Sequence, residues 1–299
     1  GDTLVSIEPD MKTLTPGLAT SWEVSEDGLT YTFKLRDDVK FCDGRPMTAE
    51  DVVYSFNRWL DPATASPVKW RAGEVESITA PDATTIVYKL KSPFSELLYQ
   101  LTQSFATIID RNQVEALGAD FGIQGMNGTG PYCWESWNPR DRLTMTKHAG
   151  YAWGPDFYEN KGEAQIDRLV WQVVPEENTR TIALMTDQTQ ITQYVPYIAL
   201  EQLKVAPNLN VVQSDSAFWT YFIGFKVDHP TVADPAVRRA INLALDQDAL
   251  ARDQFFGGVQ GAQSYISTAT KDWDPALEAS LPPYDPAAAN ALLDEAGWV

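Results

Sequence analysis

The alternation of apolar and polar residues predicts several strands in this chain. Between positions 31 and 35 the apolar residues are Tyr31, Phe33 and Leu35, so one face of a strand is buried. The same pattern predicts two strands between Val75 and Leu90, joined by a turn at 81–83. Further strands are expected at 143–147, at 166–174, from Val211 onward and at 218–225.

Helices are predicted where apolar residues recur every three or four positions after a capping residue. Thr48 and Asp51 form a capping-box pattern ahead of the apolar positions 52–60, and the helix is expected to end at Asp61-Pro62. Asp234-Pro235, Asp246 and Asp285-Pro286 predict three later helix starts. Shorter helices are expected at 94–101, 179–185 and 200–203.

Length and composition indicate a folded protein of about two domains. The chain has 299 residues, 44% hydrophobic and 21% charged. Strands and helices are mixed throughout, which favours an α/β or α+β fold.

A net charge of −18 repels phosphate backbones and anionic lipids, so we expect no nucleic-acid partner and no direct membrane-surface binding. No apolar run reaches the roughly 20 residues of a membrane span.

Cysteine and histidine are scarce, and neither shows the spacing of a metal site. Cys42 and Cys133 fit either a reducing compartment or a large secreted protein, and sequence alone does not decide whether they are bridged. His148 and His229 lie far apart without cysteines beside them, so we predict no metal ligands and two histidines at the surface or at strand ends.

Catalytic motifs are absent from the sequence. There is no G-x-S-x-G elbow and no P-loop. The run Asn127-Gly128-Thr129-Gly130 leads into Pro131-Tyr132, which is typical of a strand, so we interpret it as a backbone crossing. The acidic pairs Glu176-Glu177 and Asp246/Asp248 are interpreted as helix caps or solvated faces. We therefore predict no enzymatic activity and no cofactor.

Several stretches, taken in order, resemble a known family. They are PGLATSWEVSEDG at 16–28, VKFCDG at 39–44, TAEDVVYS at 48–55, GTGPY at 128–132, VRRA at 237–240 and YDP at 284–286. Together they resemble the solute-binding proteins of dipeptide, oligopeptide and nickel ABC importers. Cys42 departs from the pattern, because the family more often has histidine or a small polar residue there. Family members also begin earlier and continue further, so the chain is expected to be truncated at both ends.

The resemblance implies an α/β, periplasmic-binding-protein-like fold of the type II, large cluster C class. Two lobes would surround a ligand cleft, with an extra subdomain attached. Residues 1–124 would be the extra subdomain, 125–215 part of lobe I, and 216–299 the first part of lobe II.

The implied function is capture of a small solute by hinge closure and delivery to the permease subunits of an ABC importer. A di- or oligopeptide is the first expectation, and an oligosaccharide or an opine is the alternative. The protein would be a monomer, periplasmic or at the cell surface, and would touch the membrane only through the permease or a removed anchor. A carbohydrate-active enzyme and the ligand-sensing module of a regulator remain open as other classes.

The resemblance also suggests six ligand-binding residues. The segment 192–196 would offer Gln193 as a hydrogen-bond partner and Tyr194 as a stacking ring, with a half-exposed loop tyrosine as the alternative. Trp219 and Tyr221 share one face of the predicted strand and would line the cleft, unless they belong to the core. Trp70 and Arg71 follow the Ser66-Pro67 turn, where Arg71 would pair with a carboxylate or lie at the surface.

Overall fold

A computed structural model describes residues 1–213, 220–262 and 264–298 of the chain. The chain divides into two units, Gly1–Val173 and Val174–Val299, each with its own set of internal contacts. The subdomain and lobe boundaries expected near residues 124 and 215 stay a prediction. Among the described residues no helix is long and apolar enough to cross a membrane.

The strands of the described chain pair antiparallel in three separate sheets. A two-stranded sheet has the order β1-β2, a four-stranded sheet β3-β4-β6-β5 and a three-stranded sheet β7-β8-β9. The bounds are β1 Val5–Ile7, β2 Leu14–Pro16, β3 Ala19–Val24, β4 Thr30–Leu35, β5 Val75–Asp82, β6 Thr85–Leu90, β7 Tyr132–Asn138, β8 Arg142–Lys147 and β9 Arg168–Gln172.

The predicted helices lie close to where the sequence places them, and the structure of the described residues adds two helices that were not predicted, Arg111–Leu117 and Pro275–Ala279. The helix bounds are α1 Ala49–Leu60, α2 Leu97–Gln100, α3 Arg111–Leu117, α4 Glu177–Met185, α5 Leu200–Lys204, α6 Pro235–Leu243, α7 Gln247–Gln254, α8 Pro275–Ala279 and α9 Pro286–Glu295. The predicted Thr48–Asp51 capping box is confirmed, and so are the aspartate caps of α6, α7 and α9.

The core of the first unit lies where α1 packs against the four-stranded sheet. Alternation of β4 points Tyr31 and Phe33 into this core, and their cross-strand partners on β6, Tyr88 and Ile86, are buried with them. Phe56 of α1 packs edge-on against Tyr88, with 5.8 Å between ring centroids. The apolar stripe of α1 and the alternation of β4 thus form one hydrophobic cluster.

A buried ionic network joins the starts of two helices. The guanidinium of Arg45 donates to both carboxylate oxygens of Asp51 at the start of α1, at 3.0 and 2.8 Å. It also donates to Asp110, the N-cap of α3, at 2.5 Å. The other oxygen of Asp110 accepts from the Asn127 side chain at 2.8 Å. Burial alone would raise the pKa of Asp110, but hydrogen bonds from Asn127, Arg45 and the Asn112 amide together hold it below its usual value.

A disulfide joins Cys42 to Cys133 across 91 positions of sequence. Cys42 lies in the turn after β4, and Cys133 lies in β7. The segment predicted as a backbone crossing runs between them and is buried from Asn127 to Gly130. The Gly128 carbonyl accepts a hydrogen bond from the Cys42 amide at 3.0 Å. The pairing that sequence left open is therefore formed.

The second unit contains helices and loops but no strand among its described residues. Helices α6 and α9 pack through Ala240, Leu243 and Ala289, all buried. The predicted strands at 211–212 and 218–225 are wrong for the positions that are described, which have no regular structure. A strand needs a neighbour to pair its backbone groups, and the described part of this unit supplies none. The consecutive apolar residues Tyr221, Phe222 and Ile223 are therefore all exposed, and neither face of the predicted strand is buried over its described part.

We expect Asp110→Asn to lower the free energy of unfolding by about 2 kcal/mol at neutral pH, because it removes a charged partner of Arg45 and one acceptor at a buried position. The lowered pKa of Asp110 in the folded state means that its contribution is present above its unfolded value of about 3.9. The contribution is lost as pH falls through the folded value. The difference between variant and parent should therefore shrink on acidification. Urea unfolding at several pH values measures it.

Glu115→Gln is the matched control for this variant. Glu115 belongs to α3 and pairs with Arg111 at 2.7 Å, but both side chains are more than half exposed. Such an exposed pair contributes little to stability, because solvent screens the two charges. Equal losses for the two variants, or a loss for Asp110→Asn that grows below about pH 4, would contradict the interpretation.

Candidate functional site

In the first unit, the expected site residues Trp70 and Arg71 lie together in a short 3₁₀ turn, Lys69–Ala72. The Trp70 side chain is 64% exposed. The guanidinium carbon of Arg71 lies 4.7 Å from the Trp70 ring centroid and 5.4 Å from that of Phe105. Two aromatic contacts hold the cation in place at this patch.

Hydrogen bonding leaves part of the Arg71 guanidinium unused. One terminal nitrogen donates to the Gln100 side-chain oxygen at 3.0 Å, while the buried Nε has no hydrogen-bond partner within the described structure. A guanidinium presents its donors in a planar fork that matches a carboxylate. Arg71 was expected either to pair with a carboxylate of the solute or to be an ordinary surface arginine. In the structure Arg71 is half-buried and is held by Gln100 and the two aromatic rings.

Cavities formed by the described residues of the first unit include two beside α1. One of about 380 Å³ is lined by Trp59, Phe105 and Ser66 among others, and so borders the ring on which Arg71 rests. A second of about 610 Å³ is lined by Tyr54, Arg58 and Phe121 among others. None of the five expected site residues within the described chain lines either cavity, so their assignment stays a prediction.

In the second unit, Gln193 and Tyr194 occupy an exposed loop after α4. Tyr194 has a φ of 56°, a left-handed conformation that costs a non-glycine residue energy, and its side chain is 82% exposed. Arg180 of α4 holds this loop, since its guanidinium donates to the Tyr194 carbonyl at 3.2 Å and to the Val174 and Pro175 carbonyls at 2.8 and 3.0 Å. The tyrosine ring is thus presented to solvent by an anchored backbone.

Helix α4 itself starts at a carboxylate cap. Glu176 accepts hydrogen bonds from the amides of Asn178 and Thr179, as its interpretation as a helix cap predicts. The hydrogen bond from the Thr179 amide, followed by those from the Asn178 amide and the Thr179 hydroxyl, lowers the pKa of Glu176. Glu176 therefore serves the helix and is not arranged as a general acid.

Tyr221 belongs to an aromatic cluster in the second unit. Its ring stacks on Phe255, with 5.9 Å between centroids and 29° between planes, and Phe255 meets Tyr197 edge-on at 5.6 Å. Tyr221 is still 76% exposed, so it is not a core residue. Stacked, accessible rings of this kind suit contact with a flat or apolar group. Trp219, the other expected residue of this segment, lies outside the described residues.

Sequence reasoning missed three residues that shape these patches. Arg180 lies inside a predicted helix, and nothing local shows that its target is 14 positions away. Phe255 and Gly258 follow α7, and neither was predicted to shape a site. A side chain at Gly258 would overlap the Tyr197 ring, so glycine is required for the rings to approach. The adjacent Phe255-Phe256 pair is the one signal that could have pointed to an aromatic site.

One group of side chains has ligand atoms suited to a metal. A ring nitrogen of His148 and the two sulfurs of Cys42 and Cys133 lie within 4.8 Å of one another, and the sulfurs are bonded in the disulfide. His148 follows β8 directly and is buried, while His229 is exposed. The expectation of histidines at strand ends or at the surface therefore fits both positions.

Comparison with known proteins identifies the class of protein. A sequence model of the bacterial extracellular solute-binding proteins, family 5 (middle region), matches residues 13–299. The chain belongs to this family. The resemblance seen in the sequence and the expected periplasmic-binding-protein-like fold are thereby confirmed.

Individual relatives of family 5 agree with this assignment. The chain is 33% identical over 301 residues to the glutathione-binding protein GsiB of Escherichia coli K12. The aligned region covers 99% of this chain and 55% of GsiB. The periplasmic binding protein DppA of Helicobacter pylori, solved with the peptide STSA, is 28% identical with a TM-score of 0.76, over 99% of this chain and 60% of DppA. NikA of Brucella suis, solved with Fe(III)-EDTA, is 28% identical with a TM-score of 0.78, over 100% and 58%.

The chain thus spans a little over half the length of these relatives. All three are named or described as binding proteins or as complexes with a bound solute, and none as an enzyme. Family 5 is described as extracellular. These facts fix the class of the chain, while its solute and its partners remain to be proposed.

We expect Gly258→Ala to disrupt the aromatic cluster of the second unit, because the added methyl group overlaps the Tyr197 ring and approaches the Phe255 carbonyl to 3.1 Å. Overpacking of this kind costs about 1–3 kcal/mol. Thermal unfolding should show the loss, and tyrosine fluorescence should change with it. Gly224→Ala is the control, since its methyl group would meet only the Phe222 ring at 3.8 Å. A Gly258→Ala variant as stable as Gly224→Ala would contradict the described packing.

Proposed function

We propose that this chain is part of the extracytoplasmic binding component of an ABC importer, which captures a small peptide and hands it to the membrane permease. The observation that carries the proposal is the family 5 match over residues 13–299. It is supported by a relative named for glutathione and by another solved with the peptide STSA. Di- and oligopeptides, including tripeptides of the glutathione type, are the proposed solutes.

The chemistry of a peptide suits the groups that the chain presents. A peptide carries a carboxylate, which suits the half-buried guanidinium of Arg71, whose hydrogen bond goes to the uncharged Gln100 side chain. Its side chains and peptide planes are flat or apolar, which suits the exposed rings of Trp70, Tyr194 and Tyr221. Gln193 adds an amide that both donates and accepts. We therefore assign the carboxylate contact to Arg71, the stacking contacts to the three rings and an amide hydrogen bond to Gln193.

Capture without reaction is the proposed mechanism. A solute that contacts both lobes only in the closed form shifts the protein toward closure. Shifting such an equilibrium from 1:99 to 99:1 takes about 5.5 kcal/mol of differential binding, which a few aromatic and charged contacts supply. The closed form is then what the permease recognises. No chemical step is assigned to any residue, so the protein is proposed to be a receptor and not an enzyme.

The first experiment identifies the solute directly. Native mass spectrometry of the full-length protein, purified without denaturation, should reveal a peptide of a few residues. A thermal-shift screen should then show stabilisation by peptides, because a ligand that binds the folded state raises stability by mass action. Bound opines or oligosaccharides would replace peptide as the solute class. Turnover of the bound compound would overturn the receptor assignment itself.

The second experiment tests the proposed contacts. Arg71→Met keeps most of the stem that packs on the rings but removes the guanidinium, and we expect it to weaken peptide binding about tenfold or more by calorimetry. Tyr221→Ala should cost about 1 kcal/mol or more of binding energy. Arg111→Met, an exposed arginine paired with Glu115, is the matched control and should bind as the parent does. Unchanged affinity for a folded Arg71 or Tyr221 variant removes that residue from the site.

A further inference from the structure

The Cys42–Cys133 disulfide has a buried histidine beside it. A ring nitrogen of His148 lies within 4.8 Å of both sulfurs, and the His148 side chain is buried while both cysteines are half-buried. None of these residues belongs to the solute patches around Arg71 and Tyr221. The three side chains combine two sulfur ligands with one imidazole, a set that thiophilic metal ions prefer.

The imidazole is already arranged as a ligand. Nδ1 of His148 lies 2.8 Å from the Gly130 carbonyl oxygen. A carbonyl only accepts hydrogen bonds, so Nδ1 carries a proton, and in the neutral imidazole the lone pair then lies on Nε2. A metal-binding histidine nearly always donates its other N–H to a carbonyl or a carboxylate in this way. Trp153 packs edge-on against the ring at 5.4 Å and helps to fix its orientation.

The backbone around the three residues is held independently of the disulfide bond. Cys133 pairs with Thr146 in the β7–β8 hairpin, and the His148 amide donates to the Pro131 carbonyl at 2.9 Å. The Cys42 amide donates to the Gly128 carbonyl at 3.0 Å. None of these hydrogen bonds involves a sulfur atom, so we expect them to persist when the sulfurs separate. The three side chains therefore stay close together after reduction.

We propose that the reduced form of this chain binds one thiophilic divalent cation, such as Zn²⁺, through Cys42, Cys133 and His148, and that the disulfide form does not. An external dithiol would supply two electrons and two protons, becoming a disulfide itself while Cys42 and Cys133 become thiols. Metal binding then releases the two thiol protons. Two thiolates neutralise the charge of the cation, which lowers the cost of placing it in a half-buried site.

The geometry requires only small movements. In a tetrahedral zinc centre the ligand atoms lie about 3.5 Å apart, given bonds of about 2.3 Å to sulfur and 2.0–2.1 Å to nitrogen. The two sulfurs, bonded to each other in the disulfide, would separate to about this spacing after reduction, and the histidine nitrogen, within 4.8 Å of them, would approach by about 1 Å. Both cysteines are half-buried, so we expect a solvent molecule to complete the fourth position. The site is independent of the proposed solute, because it uses none of its residues.

Cobalt provides the probe. The chain is reduced with dithiothreitol, freed of it by anaerobic desalting, checked by circular dichroism and titrated with Co²⁺. We expect one equivalent to bind with the intense visible bands of tetrahedral cobalt thiolate, and the oxidised chain to show none. His148→Gln should weaken the affinity about tenfold or more. His229→Gln, which changes the exposed histidine of the second unit, is the matched control and should behave as the parent.

A second measurement avoids the His148 variant if it fails to fold. In the Co²⁺ form, proton NMR should show a strongly shifted resonance from the His148 Nδ1–H, which disappears in D₂O. Four results would overturn the proposal: only weak octahedral cobalt bands in the reduced chain, equal binding by the oxidised chain, full affinity in a folded His148→Gln variant, or unfolding on reduction both with and without cobalt.

Discussion

The ion pairs of Arg45 are the constraint on which the first unit depends. Because Asp51 and Asp110 are buried carboxylates, each needs a charged or hydrogen-bonding partner, and one guanidinium serves both. The starts of α1 and α3 are thereby fixed relative to each other. Asn127, bonded to the same Asp110, brings the backbone crossing to this point. From there the chain enters β7, which places Cys133 opposite Cys42. The disulfide and the histidine beside it thus follow from an interaction whose members are up to 65 positions apart.

The local part of this arrangement could be read from sequence, because it depends on neighbouring residues. A capping box, an aspartate followed by proline, and an alternating strand each act within a few positions. The bonds of Arg45 to Asp110 and of Asp110 to Asn127 have no local signature, so the sequence predicted α1 but neither α3 nor the link between the two helices. The predicted strand at 218–225 was wrong over its described part, because here the local pattern was present and the described residues supply no long-range partner. Alternation supplies a face to bury, but a strand also requires a partner in the same sheet.

The same distinction between local patterns and long-range contacts applies to the proposed solute-binding residues. Trp70, Arg71, Tyr194 and Tyr221 were found from a family resemblance, and the structure gives all of them except Arg71 a largely exposed side chain. What the sequence could not supply are the residues that hold them. Phe105 and Gln100 reach Arg71 from 34 and 29 positions away, and Arg180 reaches Tyr194 from the preceding helix. Contacts at such separations are properties of the folded chain. These contacts decide whether an exposed side chain is held in one position, where a solute can bind to it.

A comparison of two arginines shows which physical feature marks a binding group. Arg45 and Arg71 each have a buried Nε without a hydrogen-bond partner, so an unpaired donor alone does not identify a site. The terminal nitrogens of Arg45 bond two aspartates within the protein, and its charge is therefore already matched. Arg71 donates to an uncharged amide, contacts two rings and pairs with no carboxylate among the described residues, and Trp70 beside it is open to solvent. A half-buried cation with no carboxylate of its own gains most from an anionic group brought by a solute. This difference in charge matching is what favours Arg71 as the group that a peptide carboxylate would engage.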